Sequence, residues 1–138
     1  MAMLNFCAAM IYDAGFLAID PDLLVATQLT EEEKQAMKEH VNLAEKHLEF
    51  VPKKYGRVFE YAAMKHHENI DGTGYPNGLK GDEIPQIARL IRVAESYVSL
   101  SSKRSYRGAM DKETAVNTLK EQPGFYDQEV VEALDKVV

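Results

Sequence analysis

Residues 66–81 read His66-His67-Glu68-Asn69-Ile70-Asp71-Gly72-Thr73-Gly74-Tyr75-Pro76-Asn77-Gly78-Leu79-Lys80-Gly81. Ahead of this stretch, from about Arg57 to His67, Val58, Tyr61, Ala62 and Met64 recur at helical spacing. The two histidines therefore stand at the C-terminal end of a helix. Behind them, Gly72, Gly74, Gly78 and Gly81 with Pro76 and Pro85 make residues 68–85 either an ordered functional loop or a flexible one. Pro85 opens the next helix, which carries Ile87, Leu90, Ile91, Ala94 and Val98 on one apolar face.

Working outward, the rest of the chain is also helical in pattern, and no stretch alternates like a strand. Residues 2–12 form an apolar helix ended near Gly15, and Asp20-Pro21-Asp22 begins a turn through Leu23 and Leu24. Thr30 and Glu33 make a capping box for a helix to about Glu49, with Met37, Val41, Ala44 and Leu48 on one face. Pro52 and Gly56 bracket a loop. Asp111 and Asp127 cap two short final helices separated by Pro123-Gly124. The expectation is an all-α bundle, with residues 1–138 forming one domain.

Composition narrows the function. Apolar residues make up 46% and charged residues 28%, which excludes disorder and fibrous repeats. The net charge of −6 disfavours DNA, although Lys80, Arg89, Arg92, Lys103, Arg104 and Arg107 leave one half able to attract an anion. No apolar run is long enough for a membrane span, and the lone Cys7 suits a reducing cytoplasm.

Several polar residues sit against apolar surface. His66 and His67 offer imidazoles to a transition metal, or simply favour the negative end of a helix dipole. His40 lies at the edge of the Met37–Val41–Ala44 stripe, where its nitrogens need partners: a metal, or a backbone carbonyl. Glu95 lies beside Ile91, Ala94 and Val98, and a buried carboxylate there requires a cation, either a metal or Arg92. Asp13, near the end of the first helix, raises the same question. Arg104, Tyr106 and Arg107 have the chemistry to hold a phosphate and stack on a base, or form a solvated basic turn.

The segment HHENIDGTGYPNGLKGDEIPQIARLIRVAESYVSLSSKRSYRGAM, residues 66–110, closely resembles the signature half of HD-GYP domains of the HD superfamily. The resemblance extends from about Ala9 to Leu134. It implies a helical bundle around a bi- or trinuclear iron or manganese centre that hydrolyses bacterial cyclic di-GMP to linear pGpG, and then to GMP. By position it makes His40, His66, His67 and Glu95 metal ligands. Asp13 becomes both a ligand and the retained member of the catalytic pair. Tyr75, Lys80, Arg104, Tyr106 and Arg107 become ligand-contacting or loop-ordering residues.

The departures are specific. The family's His-Asp pair falls on Tyr12-Asp13, and the lysine expected three residues later is Phe16. The acidic residue usual at Val98 is missing, Ser101 stands for a threonine, and only about ten residues precede the pair, so a shortened chain is expected. The first expectation is a degenerate phosphodiesterase, weak or inactive. A second is a receptor for cyclic di-GMP, or a module that binds a diguanylate cyclase through the GYP loop. A third is a domain that dimerises over the apolar surface of Met1 to Leu4 and Phe6.

Overall fold

A computed structural model describes residues 2–103 and 108–138 of the chain. It is all-α, with no strand among the described residues and an isolated antiparallel bridge between Asp71 and Lys80. Among the described residues no helix is long and apolar enough to cross a membrane. The chain divides into two compact units, residues 1–66 and 67–138.

The first unit contains α1 (Ala2–Ile11), α2 (Pro21–Val25), α3 (Glu31–Lys38), α4 (His40–Leu43) and α5 (Lys53–Lys65), with 3₁₀ turns at Ala14–Ala18 and Ala44–His47. Helices α1 and α5 pack together, and the fully buried Ala8, Ala62 and Ala63 mark where the small side chains lie. The Thr30 capping box forms as expected: Thr30 Oγ1 accepts the Glu33 N–H at 3.2 Å, and Glu33 accepts the Thr30 N–H at 2.7 Å.

The single helix expected to run to Glu49 does not form. It breaks at Glu39, whose N–H turns back to Ala36 O at 3.1 Å, and resumes as α4. Two causes are visible. The His40 ring bonds the Met37 carbonyl, and Gly15 approaches so closely that a Cβ there would overlap the His40 carbonyl oxygen. Helix α5 likewise starts earlier than expected, behind Pro52, and takes Gly56 into its first turn. The apolar helix α1 leaves Met3, Phe6 and Met10 more than half exposed.

The second unit packs α6 (Gln86–Ser101) against α7 (Lys112–Lys120) and α8 (Gln128–Asp135). Val93, Val116, Leu119, Tyr126 and Val131 form its core. Full burial of such a side chain stabilises by roughly 1.5–3 kcal/mol. Asp111 and Asp127 cap their helices as expected, and Asp127 also takes Arg89 at 2.9 Å. The face of α6 differs from expectation: Ile87, Ala88, Ile91, Val93 and Ser96 are buried, whereas Ala94 and Val98 face solvent. This helix is apolar around more than half its circumference, so periodicity alone does not select which part of that arc is covered.

Candidate metal centre and the GYP loop

In the first unit, Asp13, His40 and His66 converge. His66 follows α5, and its Nδ1 donates to Ala62 O at 3.0 Å; His40 Nδ1 donates to Met37 O at 2.7 Å. A carbonyl only accepts, so Nδ1 carries the proton in each ring and Nε2 of the neutral imidazole presents a lone pair. The two Nε2 atoms face each other at 3.3 Å. Asp13 Oδ1 lies 3.5 Å from His66 Nε2 and 3.8 Å from His40 Nε2. That oxygen is buried and has no hydrogen-bond partner among the described residues.

Two imidazole lone pairs and a carboxylate oxygen pointing together repel one another unless a cation sits among them. The point equidistant from the three atoms lies about 2 Å from each, the bond length of a transition-metal ion to nitrogen and oxygen ligands. The donor set, nitrogen with oxygen, suits iron, manganese or zinc. These residues therefore fit a metal. The aromatic neighbours are as specific. Phe16 lies flat on His40, with centroids 4.0 Å apart and planes 9° from parallel, and Tyr12 meets His66 edge-on at 4.8 Å.

Burial of His40 holds its pKa below 6.5; the Met37 carbonyl opposes that shift, His66 reinforces it and Asp13 opposes it. A base whose native pKa is depressed binds fewer protons folded than unfolded, so stability rises with pH through this range. The metal-free protein is expected to be fully stable with respect to this group above pH 6.5 and to lose stability as pH falls below it. Urea midpoints across that interval, compared between the unaltered protein and His40→Asn, check this. An equal pH slope in both would assign the effect elsewhere.

In the second unit, His67 is half-buried and stacks on Tyr75, with centroids 4.7 Å apart and an angle of 20°. His67 and Glu95 line one pocket of about 240 Å³ with Arg92, Ser96, Ser99, Leu100 and Tyr126. Glu95 is half-buried rather than set in an apolar face, since Ala94 and Val98 beside it are exposed. Arg92 is engaged with Asn69 Oδ1, at 3.1 and 3.2 Å, with Ser96 Oγ, and with the Tyr126 ring. Lys80 is exposed, and its methylenes cross Gly72, where a Cβ would sit 2.5 Å from Lys80 Cε. Gly72 has φ +84°, a region that favours glycine. Arg104, Tyr106 and Arg107 lie outside the described residues.

Residues 68–85, open in the sequence between order and flexibility, are densely bonded. Glu68 is buried and accepts the N–H groups of Asn77 and Leu79, and Asp71 accepts from the backbone and hydroxyl of Thr73. The Asp71 carboxyl is held below its ordinary range by the Thr73 hydroxyl first and the Thr73 N–H second. Sequence reasoning missed the roles of Glu68, Asn69 and Arg92. The available signal was an acid set directly after His66-His67 and before a turn-rich run, where backbone N–H groups outside regular helix need an acceptor.

The profile of the HD-domain family matches residues 3–130. The cyclic di-GMP phosphodiesterase response regulator RpfG of Xanthomonas campestris is 38% identical over 129 residues, covering 92% of this chain and 34% of that protein. A cyclic di-GMP phosphodiesterase of Thermotoga maritima is 36% identical over 132 residues, 94% of this chain and 36% of the relative. The 3'3'-cGAMP-specific phosphodiesterase 3 of Vibrio cholerae is 36% identical over 116 residues, 83% and 25% of the two chains. The chain thus spans between a quarter and about a third of the length of these relatives. With its HD-GYP loop and the convergent Asp13, His40 and His66, the chain belongs to the HD-domain family, as an HD-GYP domain.

Proposed function

We infer that this domain binds a divalent transition-metal ion, iron or manganese, through Asp13, His40 and His66, and recognises cyclic di-GMP with its hydrolysis weakened or lost. One observation carries the metal: Asp13 Oδ1 is buried without a hydrogen bond beside two Nε2 atoms whose rings are already fixed by carbonyls. His67 and Glu95 stay ligand candidates on the resemblance to the family alone, as do Tyr75, Lys80, Arg104, Tyr106 and Arg107 for the nucleotide. The relatives named for cyclic di-GMP and for 3'3'-cGAMP support the substrate class.

When bound, the metal supplies a hydroxide near neutral pH and draws charge from the phosphoryl oxygens. The protein's part is to hold the two imidazoles in one tautomer and to set the Asp13 carboxylate oxygen beside their Nε2 atoms. Tyr12 and Phe16 argue for weakened hydrolysis. A phenol of pKa about 10 is a poor ligand at neutral pH, and a phenyl ring neither donates a proton nor offsets phosphate charge. A second reading, a receptor or a module that binds a diguanylate cyclase, is favoured by the ordered loop that presents Tyr75 and Lys80 without needing the altered pair.

Anaerobic purification followed by metal analysis and a cyclic di-GMP turnover assay tests the first reading. Roughly one iron or manganese per chain is expected, lost in His66→Ala, with slow or absent turnover. Absence of bound metal ends the enzyme reading. Fast manganese-dependent conversion abolished by His66→Ala overturns the view that hydrolysis is weakened. Calorimetry with cyclic di-GMP addresses the receptor, which a lack of heat at micromolar protein would eliminate.

A further inference from the structure

Glu68 is a buried acid for which the metal chemistry gives no account. It is 2% exposed; Oε1 accepts the Asn77 N–H at 2.8 Å and Oε2 the Leu79 N–H at 3.0 Å, and no cation pairs with it among the described residues. Burying a carboxylate against two neutral donors costs more than burying an amide or an alkyl group. A residue that only filled space would be better as glutamine or leucine. What the carboxylate alone provides is an acceptor at both ends: glutamine has one oxygen, and its NH₂ would confront an N–H.

The two N–H groups lie two and four residues beyond Tyr75. On its near side, Tyr75 donates its own N–H to His67 O at 3.1 Å. Gly74 is pressed so close that a Cβ would meet Glu68 Cα and His67 O at 2.5 Å. The chain from 74 to 79 is thus tied at both ends to the pair His67-Glu68, and the Tyr75 ring between those ties lies flat on the His67 imidazole.

We propose that Glu68 is a positioning residue: by anchoring Asn77 and Leu79 it holds the Tyr75 ring against His67 and so sets the orientation of that imidazole. Its consequence for metal binding rests on the reading of His67 as a ligand. The linkage from Glu68 to the ring stack does not.

The test uses Glu68→Gln, Tyr75→Leu and the double variant in the full chain, with two readouts: the ring-proton NMR shifts of His67 and the affinity for manganese. Each single variant is expected to remove the ring-current displacement of the His67 protons and to weaken manganese binding roughly 10-fold or more. The double variant is expected to be no worse than the poorer single one, because both changes break one linkage. Unchanged His67 shifts in folded Glu68→Gln, or losses that add in the double variant, overturn the proposal. Glu68→Asp keeps both acceptor oxygens but withdraws them by one methylene, and covers the case in which Glu68→Gln does not fold. Its His67 shifts should move part of the way, and a spectrum identical to that of the unaltered protein counts against the proposal. Failure of the unaltered chain to bind manganese would sink the metal reading and leave the NMR arm to decide this one.

Discussion

Gly15→Ala is expected to destabilise the first unit by about 3 kcal/mol, lowering the thermal midpoint by roughly 10 °C. The added methyl would overlap the His40 carbonyl oxygen and stand 3.1 Å from His40 Cα. Both sides of this contact are backbone, so no rotamer change relieves it. The carbonyl belongs to the first residue of α4, and the glycine to the 3₁₀ turn that carries Phe16 onto the His40 ring. Separating them would displace His40 from its Met37 bond and from Asp13 together. The variant should therefore lose metal affinity as well as stability. Circular dichroism melts of the metal-free protein, followed by manganese titration at a temperature where the variant is folded, check both halves. An unchanged midpoint would mean that the turn and helix yield at little cost.

Tyr12→His combined with Phe16→Lys is expected to raise cyclic di-GMP turnover by about 100-fold or more. Tyr12 meets His66 edge-on at 4.8 Å, and a histidine there brings a nitrogen lone pair to the side of the site now occupied by a phenol ring. Phe16 covers the face of His40 at 4.0 Å. The lysine stem can cover the same face while its ammonium reaches solvent or phosphate. The two changes supply different things, a ligand and a cation, so the double variant should come close to the product of the singles. Steady-state hydrolysis with metal content measured on the same samples decides it. A double variant that holds at least as much metal and hydrolyses no faster would show that these two positions do not limit the reaction.

The parts of the fold legible in the sequence are those set by local chemistry. Thr30, Asp111 and Asp127 each satisfy N–H groups two or three residues away, and each helix start lies where that chemistry puts it. The break at Glu39 was not legible, because it depends on a glycine more than twenty residues earlier in the chain and on the His40 ring bending back to Met37. The burial of α6 was misplaced for a related reason. Ala94 and Val98 are as apolar as the buried Ala88 and Val93, and only packing selects among them. In the site, Asp13, His40 and His66 stood out as polar groups beside apolar stripes, and the structure brings those three together. The role of Glu68 was only partly legible: an acid ahead of a turn-rich run signals an acceptor, but no side-chain pattern shows that its partners are the backbone N–H groups of Asn77 and Leu79.

The bonded loop from Glu68 to Lys80 also bears on how a ligand is met. Its base is narrow, with Asp71 bridged to Lys80 and the Gly81 N–H on Ile70 O at 3.0 Å. A segment left mobile would surrender about 1–2 kcal/mol for every residue whose backbone became fixed on contact. Here folding has already removed that freedom. A nucleotide or a protein that engages Tyr75 or Lys80 keeps nearly all of the contact energy it gains, and selectivity at this surface follows from the groups presented and their rigid spacing.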